Sequence, residues 1–194
     1  MNVTRFEGFD VVAYDLSEYA PLLQPFCEWL VSPEGEQFTL GDDKEIGKLS
    51  VWEVESDAVR LMSAIFDAAC LQFLDEEHPK FKGKGKNYIF KKDAWLTTPN
   101  TQQHVRIHTH LPPYIRADDV GDLITVFYPY MDETIGIDNG PFELFRSPHD
   151  EKPVHIWAPK VYSLLLMTPE TWHRARPFTG RRYSLATDIK VFPA

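Results

Sequence analysis

The chain has 194 residues, 43% of them hydrophobic, including 13 Phe, 8 Tyr and 5 Trp. That size and apolar content are enough for one hydrophobic core, so we expect a single domain covering residues 1–194. The formal net charge of -9 argues against nucleic acid and anionic membranes as partners, because both repel a negative surface.

The sequence carries no pattern of a secreted or membrane-spanning protein. Its N-terminal residues lack the basic and apolar regions of a signal peptide, and no apolar run approaches the roughly 20 residues that a transmembrane helix needs. Cys27 and Cys70 lie in apolar, helix-like surroundings, with no neighbour that would mark a nucleophile. We therefore expect a cytoplasmic protein with reduced core cysteines, and the sequence leaves a homodimer open.

The first 85 residues predict a mostly helical N-terminal support. Apolar residues recur at helical spacing over residues 56–74, and Ser56 suits the N-cap of that helix. A shorter helix is expected over residues 18–30, ending before Pro33 and Gly35.

A lysine-rich segment follows the helices. The stretch "HPKFKGKGKNYIFKK" contains Lys80, Lys82, Lys84, Lys86, Lys91 and Lys92, with two glycines between them. We expect a mobile basic loop over residues 80–92. Its role is open between a solvated surface loop and an electrostatic grip on an acidic substrate.

The remaining chain, residues 86–194, changes to short apolar or alternating runs separated by Pro, Gly, Asn and Asp. We predict seven strands, over residues 87–90, 104–111, 122–130, 142–146, 154–159, 161–169 and 181–192. Strands this short, with no helical pattern between them, indicate an antiparallel sandwich or barrel against which the N-terminal helix can pack.

The second predicted strand is rich in histidine. On a strand, His104, Arg106, His108 and His110 of "QQHVRIHTHLPPY" would share one face. Such a polar stripe is costly to bury unless its side chains find hydrogen-bond partners or a metal ion. The stripe therefore faces either water or a wet, metal-containing pocket. The His-x-His pair offers two imidazoles to one ion and needs a third ligand from a neighbouring strand.

A downstream segment, "PETWHRARPFTGRRYSLATDI", offers the missing groups. His173 follows an apolar strand and is a candidate third ligand. Arg182, nine residues later, carries a permanently charged fork that suits a carboxylate, and Ser184 on the same strand face can donate one more hydrogen bond.

This pattern resembles the motif of the iron(II) and 2-oxoglutarate-dependent oxygenases, over roughly residues 86–192. "DLITVFYPY" and "GPFELF" are similar to neighbouring strands of that family. The resemblance implies a mainly β fold with N-terminal helices around a double-stranded β-helix, the jelly-roll core that is also found in cupins. It also implies a dioxygenase, specifically a hydroxylase, with iron(II) as cofactor and 2-oxoglutarate as cosubstrate. Position by position, His108 and His173 match metal ligands, Arg182 matches the residue that holds the cosubstrate, and Ser184 matches its helper.

One position departs from the family, which usually has a carboxylate where this sequence has His110. This residue can complete a three-histidine site, leave the ligand role to Asp118 or Asp119, or itself be the proximal histidine. We favour three histidines. A neutral imidazole in place of a carboxylate leaves the bound metal more positive. A three-histidine site therefore binds the ion less tightly than a site with a carboxylate ligand.

The same residues are compatible with two other functions. A cupin-type three-histidine enzyme independent of 2-oxoglutarate leaves the Arg-x-Ser unexplained, and a metal-free β-sandwich binding protein would expose the histidines. Arg106, Tyr114 and Arg116 are expected to line the substrate pocket, where the two arginine cations suit a small carboxylate-bearing molecule. Tyr128 is expected to line the 2-oxoglutarate cavity.

Overall fold

The structure is a computed structural model that describes residues 2–39, 50–84, 87–97, 106–113 and 120–194. Its helices are α1 (Ala20–Leu30) and α2 (Asp57–Glu76). Its strands are β1 (Asn2–Arg5), β2 (Val11–Asp15), β3 (Tyr88–Thr97), β4 (Leu123–Met131), β5 (Phe142–Phe145), β6 (His155–Trp157), β7 (Ser163–Met167), β8 (Trp172–Ala175) and β9 (Arg182–Pro193). Neither helix of the described part is long and apolar enough to cross a membrane.

Two antiparallel sheets make up the β structure. The major sheet has six strands in the order β1-β2-β7-β4-β9-β3, and the minor sheet has three in the order β6-β5-β8. Ile124, Leu165 and Met167 of the major sheet pack against Phe142 and Leu144 of the minor sheet. The two sheets therefore face each other, and the prediction of a mainly β fold with N-terminal helices is confirmed.

The helices cover the other face of the major sheet. Ser56 caps α2, its hydroxyl accepting a hydrogen bond from the Val59 amide at 3.1 Å. The apolar stripe of α2, which includes Met62 and Phe66, packs with Phe26 of α1 against the sheet. Each such fully buried side chain contributes roughly 1.5–3 kcal/mol relative to solvent exposure.

The alternation of side chains along β9 supplies both faces of its sheet. Leu185 and Ile189 belong to the core under the helices, and the Thr187 hydroxyl accepts a hydrogen bond from the Trp52 indole at 3.3 Å. Because successive side chains of a strand point to opposite faces, Arg182, Ser184, Ala186 and Asp188 point toward the minor sheet. Polar groups therefore enter the space between the sheets.

The structure differs from the prediction at strands β1, β2 and β8 and in the histidine segment. Strands β1 and β2 were not predicted, since β2 is a short run buried on both faces and β1 has only four residues. Strand β8, also of four residues, was not among the seven strands predicted from the residue pattern, although the resemblance to the oxygenases implied a strand at His173. The strand predicted over residues 104–111 is wrong for Arg106–Leu111, where only His108 forms a bridge, to His173 of β8. The chain touches the edge of the minor sheet there at a single residue pair. His104 lies outside the described residues.

The mobile loop predicted over residues 80–92 is wrong for Lys91 and Lys92, which lie in β3. The Lys92 ammonium forms an ion pair with Asp67 of α2 at 2.5 Å and lies above the Trp52 ring. A long aliphatic stem lets a lysine pack in this way while its charge stays paired. Lys80 pairs with Asp122 at 2.8 Å, and residues 85–86 lie outside the described part.

Candidate active site

Three histidines come together between the sheets. His108, His110 and His173 each offer one ring nitrogen, and these three atoms lie within 4.8 Å of one another. His110 and His173 are buried and His108 is half-buried. The structure therefore groups the three residues of the favoured interpretation. Asp118 and Asp119, the alternative ligands, lie outside the described residues.

Backbone hydrogen bonds hold the three imidazoles in place. His108 and His173 exchange two bonds, amide to carbonyl, of 3.1 and 3.0 Å, which sets their rings 4.3 Å apart, centroid to centroid. The His110 amide donates to the Pro169 carbonyl at 2.9 Å, next to the start of the turn that leads into β8. Two segments distant in sequence thus fix one cluster.

The outward ring nitrogens identify the tautomers. Nδ1 of His108 lies 2.9 Å from the Arg106 carbonyl, and Nδ1 of His173 lies 2.9 Å from the Thr171 carbonyl. Nδ1 of His110 lies 3.0 Å from a carboxylate oxygen of Asp188. Since these oxygens accept, each Nδ1 carries a hydrogen. In His108 and His173, whose buried rings favour the neutral form, the lone pair is then on Nε2.

Burial keeps two of these rings neutral. It lowers the pKa of His173 well below its usual range, and the neighbouring His108 and His110 lower it further. Burial also lowers the pKa of His108. Neutral imidazole is the form that binds a metal. The donor set fits a first-row divalent ion such as iron(II).

Aromatic side chains wall the cluster on two sides. The Phe142 ring stacks on His173 with centroids 5.3 Å apart and an interplanar angle of 17°, and Trp95 stacks on His110 at 6.2 Å and 22°. An apolar wall of this kind limits the access of water to a metal site and lowers the local dielectric constant.

Arg182 is a buried cation at the start of β9. Its Nη1 donates to the Gly140 carbonyl, and its guanidinium lies 4.0 Å from the centre of the Phe178 ring. Within the described ranges, no Asp or Glu carboxylate lies within 4.0 Å of it. Burial lowers the pKa of Arg182. A buried cation without a counter-ion is costly, so the site favours an anionic ligand.

Tyr128 lies close enough to Arg182 to sense its charge. Burial raises the pKa of Tyr128 to about 12, and the positive charge of Arg182 opposes that rise. The tyrosine ring also packs edge-on against Trp157, with centroids 6.0 Å apart. Its hydroxyl is therefore protonated near neutral pH and can donate a hydrogen bond.

The other predicted site residues have fewer described contacts with the histidine cluster and with Arg182. Ser184 shares the inward face of β9 with Arg182, opposite Thr97 of β3, and is half-buried. The Arg106 side chain is exposed, and its contact with the cluster is the carbonyl that accepts from His108. Tyr114 and Arg116 lie outside the described residues.

Sequence reasoning missed several residues around the site. Asp188, Trp95, Phe142 and Gly140 all contact predicted site residues. A signal was available for Asp188, because it continues the inward-facing series of Arg182 and Ser184 along β9. Trp95 and Phe142 depend on pairings between distant strands and carry no local signal.

No family model matches the sequence, and no curated protein matches it significantly. Solved structures are similar to it. A prolyl 4-hydroxylase from Phytophthora capsici has 21% identity and a TM-score of 0.61, over 93% of this chain and 58% of that one. A prolyl-4-hydroxylase from Pseudomonas putida has 15% identity and a TM-score of 0.61, over 94% and 93%.

A prolyl hydroxylase from Trichoplax adhaerens, solved with a peptide fragment of hypoxia inducible factor, has 13% identity and a TM-score of 0.56, over 94% of this chain and 84% of that one. At such identities the likeness establishes the fold. The chain spans 58% of the length of the Phytophthora protein. The predicted double-stranded β-helix core is thereby confirmed.

Proposed function

We propose that this protein is an iron(II) and 2-oxoglutarate-dependent oxygenase, in which His108, His110 and His173 hold the metal. The observation that carries the proposal is the grouping of three imidazoles, which each offer a ligand nitrogen within 4.8 Å of the others and each have Nδ1 bonded to an oxygen. The fold shared with prolyl hydroxylases supports it.

The metal and its cosubstrate would supply the oxidation. With iron(II) and 2-oxoglutarate bound, one oxygen atom of dioxygen goes to a substrate C–H and the other to succinate, and carbon dioxide is released. The protein contributes binding, orientation and the exclusion of water.

Arg182 is the residue that we assign to the distal carboxylate of 2-oxoglutarate. Its planar fork can bind a carboxylate through two parallel hydrogen bonds. The Gly140 carbonyl and the Phe178 ring fix the guanidinium beforehand, so little side-chain entropy is lost on binding. We assign Ser184 and Tyr128 as further hydrogen-bond donors to the same anion, supported by the inward face that Ser184 shares with Arg182 and by the effect of the Arg182 charge on Tyr128.

The aromatic walls have a protective role under this proposal. Phe142 and Trp95 cover two sides of the cluster, so water has less access to the reacting centre. A dry site strengthens the electrostatic interactions within it and suppresses side reactions.

For the substrate we retain the proposal of a small carboxylate-bearing molecule hydroxylated at a C–H bond. Its support is the exposed Arg106 beside the cluster, whose carbonyl already positions His108. A succinate assay over small carboxylic acids, with a prolyl peptide in parallel, tests it. Turnover of the peptide and of none of the small acids would contradict the small-molecule proposal and indicate a peptide substrate.

The first experiment is anaerobic spectroscopy. Iron(II) is added to the protein with and without 2-oxoglutarate, and the weak visible charge-transfer band of a chelated 2-oxo acid is recorded. We expect a band that needs both additions, is lost in His173→Ala and is weakened in Arg182→Ala. Arg181→Ala is the matched control, because Arg181 is exposed and pairs with Asp132.

Each contrary result has its own meaning. Iron binding without a band would indicate a three-histidine site that works without 2-oxoglutarate. Absence of iron binding in the wild-type protein would overturn the enzyme proposal altogether, and the histidines would then be structural.

A further inference from the structure

The three histidines differ in what their outward nitrogens contact. Nδ1 of His108 and of His173 donate to neutral backbone carbonyls, whereas Nδ1 of His110 donates to the carboxylate of Asp188 at 3.0 Å. The side chains of His110 and Asp188 are only 9% and 14% exposed. One imidazole out of three is thus bonded to a negative charge in a place of low dielectric constant.

That imidazole stands at the position where the resembled oxygenases have a carboxylate ligand. A carboxylate hydrogen-bonded to the far nitrogen of a metal-binding histidine fixes the ring and increases the electron donation of its near nitrogen. The bond is charge-assisted, and burial strengthens it. The negative charge at this site is therefore not absent but lies one imidazole ring further out.

We propose that Asp188 is a positioning residue that acts through His110 and supplies the negative charge that a direct carboxylate ligand would otherwise give the metal. This inference rests on the proposed metal site but not on 2-oxoglutarate or on the substrate. Asp188 thereby sets the affinity of the three-histidine site for a divalent ion.

The strand pairing places a second carboxylate near Asp188. In the register of β3 and β9, Asp93 lies directly opposite Asp188, so two carboxylates share one face of neighbouring strands. Like charges at such positions are destabilising. The neighbouring pair in this register, Lys91 and Lys190, places two positive charges on the same face and offsets part of that repulsion. Asp93 is therefore a second negative charge close to Asp188 against which the effect of Asp188 can be compared.

The test measures metal affinity directly, by anaerobic titration of iron(II) against a competing chelator. Asp188→Asn keeps the shape and an acceptor oxygen but removes the charge, and we expect affinity about 10–100-fold weaker. Asp93→Asn is the matched control, because it removes the same charge on the same face and Asp93 makes no hydrogen bond to the three histidines. We expect that control to change affinity by less than about threefold.

Repeating the Asp188→Asn comparison in a protein that already carries His110→Asp separates action through His110 from a general electrostatic effect. His110→Asp places a carboxylate next to the metal, so the outer charge has no imidazole to act through. The penalty of Asp188→Asn should then shrink to within about threefold. An equal penalty in both backgrounds would overturn the proposal, since Asp188 would then act through the field or the fold.

Folding is monitored by the melting temperature of each metal-free variant. Should Asp188→Asn fail to fold, Asp188→Ser and Asp188→Glu replace it, with retained affinity expected only for the charged Glu. Equal affinity of wild type and charge-neutral variants overturns the role of Asp188 and leaves the proposed function standing. A wild-type protein that binds no iron(II) refutes the metal site, and with it the proposed function.

Discussion

Gly140 shapes the site of Arg182. Its φ of +80° lies in the region that favours glycine, and a Cβ there would come within 2.6 Å of the Phe178 Cβ and 3.0 Å of Arg182 Nη1. The residue therefore allows the guanidinium, the Phe178 ring and the Gly140 carbonyl to approach closely. A side chain at this position would displace all three.

Substitution Gly140→Ala should weaken cosubstrate binding. A displaced Arg182 guanidinium would lose one charge-assisted hydrogen bond to 2-oxoglutarate, which is worth about 1.5–3 kcal/mol. The affinity for 2-oxoglutarate, measured by titration of the visible band, should therefore fall by roughly 10–100-fold. Gly180→Ala is the control: Gly180 also has a positive φ, +112°, but its Cβ would face Asp132. Equal losses of affinity in both variants would mean that backbone strain alone is responsible.

The buried histidines predict a pH dependence of stability in the metal-free protein. The pKa of His173 in the folded state lies below the ordinary value of 6.5, so the unfolded chain takes up protons first as the pH falls. The free energy of unfolding should therefore decrease as the pH drops below 6.5 and continue to decrease toward the lower folded-state pKa. Melting temperatures between about pH 5 and 8 measure this decrease.

His173→Gln should flatten that profile, whereas His149→Gln, at an exposed loop residue, should leave it unchanged. A profile that keeps its slope in His173→Gln would assign the pH dependence to other groups.

At the scale of elements, helix α2 stabilises the sheet that carries the site without contacting the histidines. Phe66 is fully buried and packs on the Trp52 ring with centroids 4.8 Å apart. We expect Phe66→Ala to lower the free energy of unfolding by about 3–5 kcal/mol in a denaturant titration. Leu61→Ala, at a residue of the same helix that is 38% exposed, should cost much less. Similar losses at both positions would contradict this packing.

Helix α2 was also the element that the sequence predicted best. Its apolar residues recur with the helical period and Ser56 marks its start, so the information is local. Strand β3 shows the opposite case, because its lysines suggested solvent. The burial of Lys92 depends on Asp67 and Trp52, which are distant in sequence. Local patterns carry no information on such tertiary compensation.

In the site, too, some features follow from local sequence and others depend on contacts between distant strands. Residue type and spacing singled out His108, His110, His173, Arg182 and Ser184, and the resemblance to the oxygenases gave them their roles. The structure brings the three histidines together. The hydrogen bond from His110 to Asp188 joins residues 78 positions apart in the sequence, and it requires β9 to lie beneath the histidine segment. Spacing can predict ligands, but the partners that orient them follow from strand register.

At the scale of the whole molecule, ligands that bind only the folded state should stabilise it. A ligand at 100 times its dissociation constant adds about 2.7 kcal/mol, which for a chain of this length corresponds to roughly 5–10 °C in melting temperature. We expect iron(II) to raise the anaerobic melting temperature and 2-oxoglutarate to raise it further. A chelator should reverse both shifts.

The variant His173→Ala should show neither shift, and Arg182→Ala should lose only the second. A shift with 2-oxoglutarate in the absence of metal would indicate that the anion binds independently of the histidine cluster.

The single bridge between His108 and His173 affects how the site opens. Two of the three histidines lie on a segment that the described backbone hydrogen bonds attach at only two points, the His108–His173 pair and the bond from His110 to Pro169. Such a segment can open locally at much lower free energy than the sheets unfold. A bound metal would add to these attachments and to the side-chain bond between His110 and Asp188, so amide hydrogen exchange at His108 and His110 should slow when iron(II) is added. Loss of the ion and detachment of this segment would thus be one coupled event, with the rate of metal release set by the backbone as much as by the ligands.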